Sequence, residues 1–273
     1  MSDHFDILET RSPEQRAADH LESLRAQIAH AKATAPFFAE TLADVDPAAI
    51  TSLDDLEKLP VVRKSDLIDR QADQPPFGGL TSVPAGGMAR IFQSPGPIYD
   101  PEGRDANYWR MGRALHAAGF RQGDVVHNSF AYHLTPGGFI MESGCHALGC
   151  AVIPAGVGNT EQQLQVIADL RPMGFCGTPS FLNMLLEKGP ELGRDVSSIQ
   201  KAMVSGEALP PSLRQGFRDR GVAVFQAYAT ADLGMVAYEG PDQEGMIVDE
   251  HVIVEIVRPG TGERVAEGEV GEG

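Results

Sequence analysis

Short apolar runs alternate with amphipathic stretches of helical length through the middle of the chain. The runs predict strands at 124–130, 150–154, 174–177, 201–204 and 222–225. The stretches around them predict helices at 105–118, 138–148, 160–170, 179–188 and 210–220. Because strands that alternate with helices form parallel sheets covered by those helices, the pattern predicts an α/β fold.

The two flanks of this region follow different patterns. Ala, Leu and Ile recur at helical spacing over residues 12–35, between a start signal at Ser12 and a stop at Pro36, which predicts one amphipathic helix. Residues 71–88 are rich in Pro and Gly, and residues 246–257 alternate as antiparallel strands do. The expected regions are a helical amino-terminal part at 1–85, an α/β core at 86–239 and the start of a β subdomain at 240–273.

The composition limits which kinds of partner the chain is expected to bind. The chain has 273 residues, 42% of them hydrophobic, and a formal net charge of -16. Nucleic acid and anionic membranes are poor partners for such a chain, since binding to them requires clustered Lys and Arg. Cys145, Cys150 and Cys176 lack metal-ligand spacing and are expected to be buried thiols. Without a leader pattern or a run long enough to span a bilayer, the sequence predicts a cytoplasmic protein.

Candidate ligand-binding residues follow three of the predicted strands, at 132–133, 205–207 and 228–232. The carboxyl ends of parallel strands meet at one edge of a sheet, where ligands collect. A stacking aromatic, a turn that allows close backbone approach and a carboxylate suit a nucleotide with its magnesium ion. Each segment alone is more typical of an ordinary turn or packing residue, so the prediction depends on their convergence. The sequence lacks the motifs of Walker NTPases, Rossmann dehydrogenases, α/β-hydrolases and zincins.

Further segments, in collinear order along nearly the whole chain, carry a family resemblance. They are residues 9–14, 29–31, 35–38, 53–60, 64–67, 134–138, 148–154, 171–172, 177–180, 205–208 and 249–256. Together they resemble the phenylacetate-CoA ligase branch of the adenylate-forming enzymes. The resemblance implies the large domain of that fold, with a helical preface, a nucleotide- and acyl-binding α/β core and the start of a β subdomain, and without the carboxy-terminal lid domain.

The resemblance also implies roles for particular positions. The implied nucleotide contacts are Ser94, Gly96, Ser205, Gly206, Glu207, Tyr228, Ala229 and Thr230, with Tyr228 stacked on adenine. The implied acyl pocket contains Tyr132, His133 and Phe139. Asp232 stands where the family has a magnesium-binding glutamate, so His133 and Asp232 are the implied catalytic residues. Gly137 and Gly138 open the following helix and are expected to turn backbone N–H groups toward an anion.

The activity implied by the resemblance is ATP-dependent activation of a small carboxylic acid, of the aromatic class, to an acyl-adenylate, followed by transfer to coenzyme A. ATP, Mg²⁺ and coenzyme A are the implied cofactors, and a homodimer is left open because relatives are often dimeric. Three departures leave an alternative open: prolines at 95 and 97 in the phosphate loop, Ala231 in place of a hydroxyl, and an end at Gly273 before the lid. The alternative is a non-catalytic nucleotide- or acyl-binding homologue, or a truncated scaffold without the lid, so activity of this chain alone is not assigned.

Overall fold

The structure is a computed structural model that describes residues 4–273. These residues divide into two compact units, one containing Met88–Asp249 and the other containing Asp6–Gly87 with Glu250–Gly273. The helices are α1 (Pro13–Thr34), α2 (Pro36–Thr41), α3 (Lys64–Asp73), α4 (Met111–Ala117), α5 (Gly137–Ala147), α6 (Thr160–Leu170), α7 (Pro179–Glu191) and α8 (Pro211–Asp219). The strands are β1 (Arg90–Ser94), β2 (Ile98–Glu102), β3 (Val125–Asn128), β4 (Ala151–Pro154), β5 (Gly174–Gly177), β6 (Lys201–Val204), β7 (Ala223–Thr230), β8 (Gly234–Tyr238) and β9 (Ile247–Val248).

The first unit is built on one large sheet. Within residues 4–273 this sheet has seven strands in the order β4-β3-β5-β6-β7-β8-β9. Strands β3 to β7 run parallel, and β8 and β9 continue the sheet antiparallel. The predicted α/β fold with a parallel sheet flanked by helices is confirmed.

Successive residues of the central strands face opposite layers of helices. In β6, Met203 joins a core cluster that includes residues of α4 and α5, whereas Ala202 and Val204 join a cluster that includes residues of α6, α7 and α8. Because side chains alternate across a strand, the near-continuous apolar runs seen in the sequence can fill both cores. Each fully buried aliphatic or aromatic side chain stabilises the unit by about 1.5 to 3 kcal/mol.

Strand β7 is longer than the sequence predicted. The expected strand 222–225 extends to Thr230 and turns back into β8, which pairs with it antiparallel around an irregularity between Tyr228 and Ala229. Tyr228 therefore lies within a strand of a hairpin and not in a loop after a strand. Ala227 and Ala229 lie in this continuation, and both pack in or against the hydrophobic cluster that includes Trp109.

The helix predicted at 105–118 is shorter, and it begins at Met111. Asn107 and Arg110 adopt left-handed φ angles of 57° and 60°, which a right-handed helix cannot include. The Asn107 side-chain oxygen accepts a hydrogen bond from the Gly112 N–H at 2.9 Å, so a turn ahead of the helix satisfies one of its first donors.

The expected phosphate loop at 92–100 is a β-hairpin instead. Strands β1 and β2 pair antiparallel from Arg90 with Glu102 to Ser94 with Ile98. No strand was predicted here because Pro95, Gly96 and Pro97 are typical of a loop, but in the structure these three residues form only the turn.

The second unit begins with the predicted amphipathic helix, α1. Ser12 and Gln15 form a capping box at its start, and Pro36 opens α2 directly after it. The Glu250 carboxylate accepts hydrogen bonds from Arg11 and Arg16 at 2.6 and 2.9 Å. The alternating run at 252–257 predicted a strand, but it makes only antiparallel bridges from Val257 to Arg264 and Glu272.

Candidate nucleotide and acyl site

The loops after β3, β5 and β6 meet at the carboxyl edge of the sheet. The Ser129 N–H donates to Cys176 O at 2.8 Å, and the Ser205 N–H donates to Gly177 O at 3.3 Å. Val204 pairs with Gln226 in β7, so Ser205 stands at the same edge as Tyr228. Because β3, β6 and β7 run parallel in one sheet, residues 132–133, 205–207 and 228–232 lie toward the same edge, and their joint role in binding a ligand stays a prediction.

Glu207 and Gly206 form the turn after β6. Glu207 accepts hydrogen bonds from the Ser180 N–H at 3.2 Å and the Ser180 hydroxyl at 2.9 Å. Ser180 belongs to the first turn of α7, where a carboxylate interacts favourably with the helix dipole. Gly206 is exposed and has a φ of +80°. The atoms nearest to a Cβ added at this glycine belong to Phe130 and Thr178, at 3.8 and 3.9 Å. The turn leaves its backbone open to approach from solvent.

The hairpin end, defined as residues 228–235, presents the other wall. Tyr228 is 56% exposed although it lies in a strand of the central sheet, and its partner across the hairpin, Ala237, is buried. An exposed aromatic face on a rigid strand is suited to stacking with a flat ligand. Ala229 follows, half-buried, at the irregularity in the pairing.

The turn of the hairpin end carries Thr230 and Asp232. The Thr230 hydroxyl oxygen accepts a hydrogen bond from the Leu233 N–H at 3.0 Å, which fixes the turn. Asp232 is exposed between these two residues. Within residues 4–273, no group of three or more His, Cys, Asp or Glu side chains is arranged to hold a metal ion. A single carboxylate still fits a magnesium ion held mainly by nucleotide phosphates, because Mg²⁺ keeps several waters and binds through one or two carboxylates.

A second group of site residues forms the aromatic corner, defined as Asn128, Tyr132, Phe139 and Glu142. The Asn128 amide, fully buried at the end of β3, donates to the Tyr132 hydroxyl at 2.8 Å, and that hydroxyl donates to Glu142 at 2.9 Å. The Tyr132 and Phe139 rings meet edge to face with centroids 5.0 Å apart. Burial, reinforced by the Glu142 charge, raises the pKa of Tyr132, so its hydroxyl stays protonated at neutral pH.

Phe139 also borders a cleft of about 260 Å³ on the side of Glu142. The Arg90 guanidinium lies 4.4 Å from the Phe139 ring centroid and pairs with Glu102 at 2.9 Å. A cation in this position is attracted to the face of the ring and stabilises their packing. Two of the predicted acyl-pocket residues, Tyr132 and Phe139, are therefore brought together and held.

His133, the third residue predicted for the acyl pocket, is exposed beside them. Its carbonyl accepts a hydrogen bond from the Thr135 N–H at 2.7 Å, and the next residue, Leu134, accepts one from the Gln93 N–H at 2.7 Å. This second bond ties β1 to the loop that carries His133, so the hairpin that replaces the expected phosphate loop lies next to the acyl residues.

The two predicted phosphate contacts, Ser94 and Gly96, differ in their exposure to solvent. Gly96 is exposed in the turn between β1 and β2, but Ser94 is 7% exposed in β1, with its hydroxyl 3.5 Å from Ile98 O. The expectation for Gly138 is wrong, because its N–H donates to Ala131 O at 3.0 Å and does not face a site for an anion. An added Cβ at Gly138 would lie 2.9 Å from both Ala131 O and the Tyr132 ring, which explains the glycine.

Two residues of the site, Asn128 and Glu142, were not predicted, and neither was Arg110, which contacts the site from outside. Asn128 carried a signal, since a polar amide lies within a predicted buried strand. Glu142 and Arg110 carried none, because no local pattern shows that Glu142 contacts Tyr132 or that Arg110 contacts Asp249. Arg110 donates from Nε to Asp249 at 2.9 Å and from Nη2 to the carbonyls of Leu233 and Met235, so it contacts the hairpin end from outside the site.

The three cysteines predicted to be thiols are buried and free. Burial raises the pKa of Cys150 to about 12, which makes its thiol unreactive near neutral pH. In the part of the chain from residue 4 onward, no helix is long and apolar enough to cross a membrane.

Known proteins are similar to this chain in sequence and in fold. The chain is 33% identical to the phenylacetate-coenzyme A ligase of Thermus thermophilus over 97% of its own length and 62% of that protein's. It is 31% identical to the phenylacetate-coenzyme A ligase of Pseudomonas putida over 98% of its own length and 64% of that protein's. The chain thus spans less than two thirds of the length of these curated relatives.

A solved structure of 2-hydroxyisobutyryl-CoA ligase in the postadenylation state superposes with a TM-score of 0.90 and 25% identity, over 98% of this chain and 60% of that one. The sequence profile described as AMP-binding enzyme matches residues 117–272, which contain β3 to β9 and most of the candidate site residues. This match covers more than half of the chain and agrees with the resemblance found in the sequence. The chain therefore belongs to the AMP-binding enzyme family, on its phenylacetate-CoA ligase-like branch.

Proposed function

We propose that the protein containing this chain activates a small carboxylic acid with ATP to an acyl-adenylate and transfers the acyl group to coenzyme A. The observation that carries the proposal is the convergence of the exposed Tyr228 and Asp232 with the turn at 205–207 on one sheet edge, in a member of the AMP-binding family. The names of the relatives support the same reaction, since they are coenzyme A ligases.

The first step joins the acid to AMP. A carboxylate oxygen of the substrate attacks the α-phosphorus of ATP, and the bond to the leaving pyrophosphate breaks. Catalysis of such a step depends on aligning the two anions and neutralising charge, which positioning and fixed electrostatics supply. In our proposal Tyr228 stacks on adenine, with Ala229 and Thr230 beside it. Ser205, Gly206 and Glu207 line the ribose and adenine side.

Asp232 is the residue that we assign to the magnesium ion, which would supply positive charge to the phosphate oxygens. His133, exposed beside the aromatic corner, is assigned as a donor to the reacting anions. Gly96 offers the exposed part of the phosphate turn. In the second step the thiol of coenzyme A attacks the acyl carbonyl, AMP leaves with the bonding electrons, and the thiol proton passes to solvent or a base.

The acid that we propose is aromatic. Two observations support it: the edge-to-face pair of Tyr132 and Phe139 beside His133, and the relatives' name, phenylacetate-coenzyme A ligase. A substrate ring that packs edge to face or offset against one of these rings would gain about 0.5 to 1.5 kcal/mol beyond area burial. Two more expectations stay predictions: a cytoplasmic location, checked by cell fractionation, and a homodimer, checked by sedimentation.

A non-catalytic nucleotide- or acyl-binding protein is the second candidate, and one observation favours it. The phosphate turn offers few donors, because Ser94 is buried and Pro95 and Pro97 lack N–H groups. Such a protein would bind AMP through Tyr228 without turning over ATP.

Pyrophosphate release separates the two candidates. This chain and any longer version of its gene product are each incubated with Mg-ATP, coenzyme A and a panel of aryl and alkyl acids, while AMP binding is measured by calorimetry. Release that depends on an aryl acid, in at least one of the two, is the expected result. AMP binding without release in either would favour the non-catalytic candidate, and neither binding nor release would contradict both.

A further inference from the structure

Arg110 occupies an unusual backbone position directly ahead of α4. Its φ is 60°, in the left-handed region that non-glycine residues rarely adopt. This conformation directs the side chain to the hairpin end, where Nη2 donates to Met235 O at 3.1 Å and also to Leu233 O. The adjacent Trp109 carbonyl accepts the Met235 N–H at 3.0 Å. Two consecutive residues thus contact the hairpin end.

A buried carboxylate holds the guanidinium in place. The Asp249 side chain is fully buried and lies 2.9 Å from Arg110 Nε and 3.7 Å from Arg113 Nε. Its own backbone N–H donates to Val236 O at 2.9 Å, so Asp249 is fixed to the same hairpin. Because a buried charge without its partner is costly, Arg110 is strongly favoured in this one orientation.

The contacted carbonyls flank the residues assigned to the nucleotide. Leu233 directly follows Asp232, and Met235 pairs with Ala229, the neighbour of Tyr228. Between them, Gly234 lies so close to Trp109 that an added Cβ would be 2.8 Å from Trp109 O. Arg110 therefore contacts residues adjacent to both Asp232 and Tyr228, although it is not itself part of the exposed surface of the hairpin end.

We propose that Arg110 is a positioning residue for the nucleotide site, a role that rests on the proposed function: by binding two carbonyls of the hairpin end, it fixes where Tyr228 and Asp232 stand. Arginine suits this role because its planar fork can serve Asp249 and two carbonyls at once. A lysine ammonium at the same place would satisfy Asp249 but lacks the fixed fork.

The test is a double-mutant cycle on AMP affinity, measured by calorimetry. Arg110→Ala should weaken AMP binding by about tenfold when Tyr228 is present, since directly coupled residues interact by amounts of this order. In the Tyr228→Ala background the same substitution should weaken binding less than about twofold. Equal weakening in the two backgrounds, or no weakening in either, would overturn the proposal.

Arg110→Lys guards against a variant that folds poorly. We expect it to unfold with the same midpoint as the parent chain while AMP binding weakens by about threefold, because charge is kept and the fork is lost. Hydrogen exchange of the amides at 231–235 should then be faster than in the parent. Unchanged affinity and unchanged exchange in Arg110→Lys would overturn the proposal.

A matched control is Arg171→Ala, which removes an arginine of an exposed ion pair with Asp195. It should leave AMP affinity unchanged. If the parent chain binds AMP and Arg110→Ala binds equally well, only the positioning role fails. If the parent chain does not bind AMP, the proposed function fails and the positioning role falls with it, so the two failures are distinguishable.

Discussion

The hairpin end and the aromatic corner offer their aromatic residues in opposite ways. Tyr228 on the hairpin end is 56% exposed, and Arg110 and Trp109 contact the neighbouring strand of its hairpin from behind, at Met235. In the aromatic corner, Tyr132 is bonded to Asn128 and Glu142 and packed on Phe139. On this comparison, the hairpin end would bind a ligand with little consequence for folding, whereas in the aromatic corner the proposed substrate contacts are side chains that also stabilise the fold.

Asn128→Ala should give the largest effect and tests that the corner supports folding. The fully buried amide contacts the Tyr132 hydroxyl, Gly138 O and the Phe130 N–H at 2.8, 2.8 and 3.2 Å. Its loss leaves buried polar groups unpaired, so the free energy of unfolding should fall by about 2 to 4 kcal/mol. Urea unfolding measures this. Asn183→Ala, which removes two exposed hydrogen bonds, to Glu187 and from Arg220, should change stability by less than about 0.5 kcal/mol.

Gly234→Ala tests whether the hairpin end is held tightly from behind. A Cβ at its φ of +73° would lie 2.8 Å from Trp109 O, so we expect a loss of about 2 to 3 kcal/mol from backbone strain and crowding together. Gly221→Ala is the matched control, because Gly221 has a φ of +79° with nothing within 4 Å of an added Cβ. Thermal unfolding of the two variants isolates the close contact, and equal losses would contradict it.

Exchanging each tyrosine for phenylalanine compares the two regions directly. Tyr132→Phe removes a hydroxyl that serves both Asn128 and Glu142, and should cost about 1 to 2 kcal/mol of stability. Tyr228→Phe removes a hydroxyl from an exposed ring and should cost less than about 0.5 kcal/mol. Chemical unfolding of both variants under one condition gives the comparison. Similar losses would mean that the two walls do not differ as described.

The pH dependence of stability should reflect His127, the neighbour of Asn128 in β3. Its ring is fully buried against Phe175 and bonded to Gln163 at 2.7 Å, and burial lowers its pKa. As the pH falls, the unfolded chain therefore binds a proton at this histidine before the folded chain does. The free energy of unfolding should decrease below a pH of about 6.5, by at most about 1.4 kcal/mol per pH unit.

Unfolding of the parent chain and of His127→Asn between pH 7.5 and about 5.5 measures this contribution, with the loss expected only in the parent. His146→Asn removes an exposed histidine and should keep the parent's slope. A parent slope that survives in His127→Asn would assign the effect to another group.

Local patterns in the sequence were enough for the parallel sheet. Helix α6 and strands β5 and β6 begin and end where the apolar and polar periodicity predicted, because side-chain alternation follows local sequence. The hairpin of β1 and β2 and the extension of β7 were missed. Both elements form because they pair with a partner strand. Neither a proline-rich turn nor alanines scattered along a segment indicate such pairing in the sequence.

The candidate site was predictable in part for the same reason. Its strand-end residues could be found because parallel strands end at one edge, which places residues 205–207 and 228–232 together. The contacts of Arg110 with Asp249 and of Tyr132 with Glu142 could not be found, since they join side chains through the fold and leave no periodic signal. Ser94 was predicted to contact phosphate, in a segment whose residues are typical of a loop. It is instead buried in a strand, which those neighbours do not indicate.

The most direct test of the central claim, that Tyr228 is the adenine wall of an AMP-binding site, is the calorimetric Kd for AMP of the parent chain and of Tyr228→Ala. We predict measurable binding by the parent and a loss of about 1 to 3 kcal/mol in the variant, the range of base–aromatic stacking. Tyr228→Phe, which keeps the ring, should bind as the parent does. Equal Kd values for the parent and Tyr228→Ala would contradict the claim.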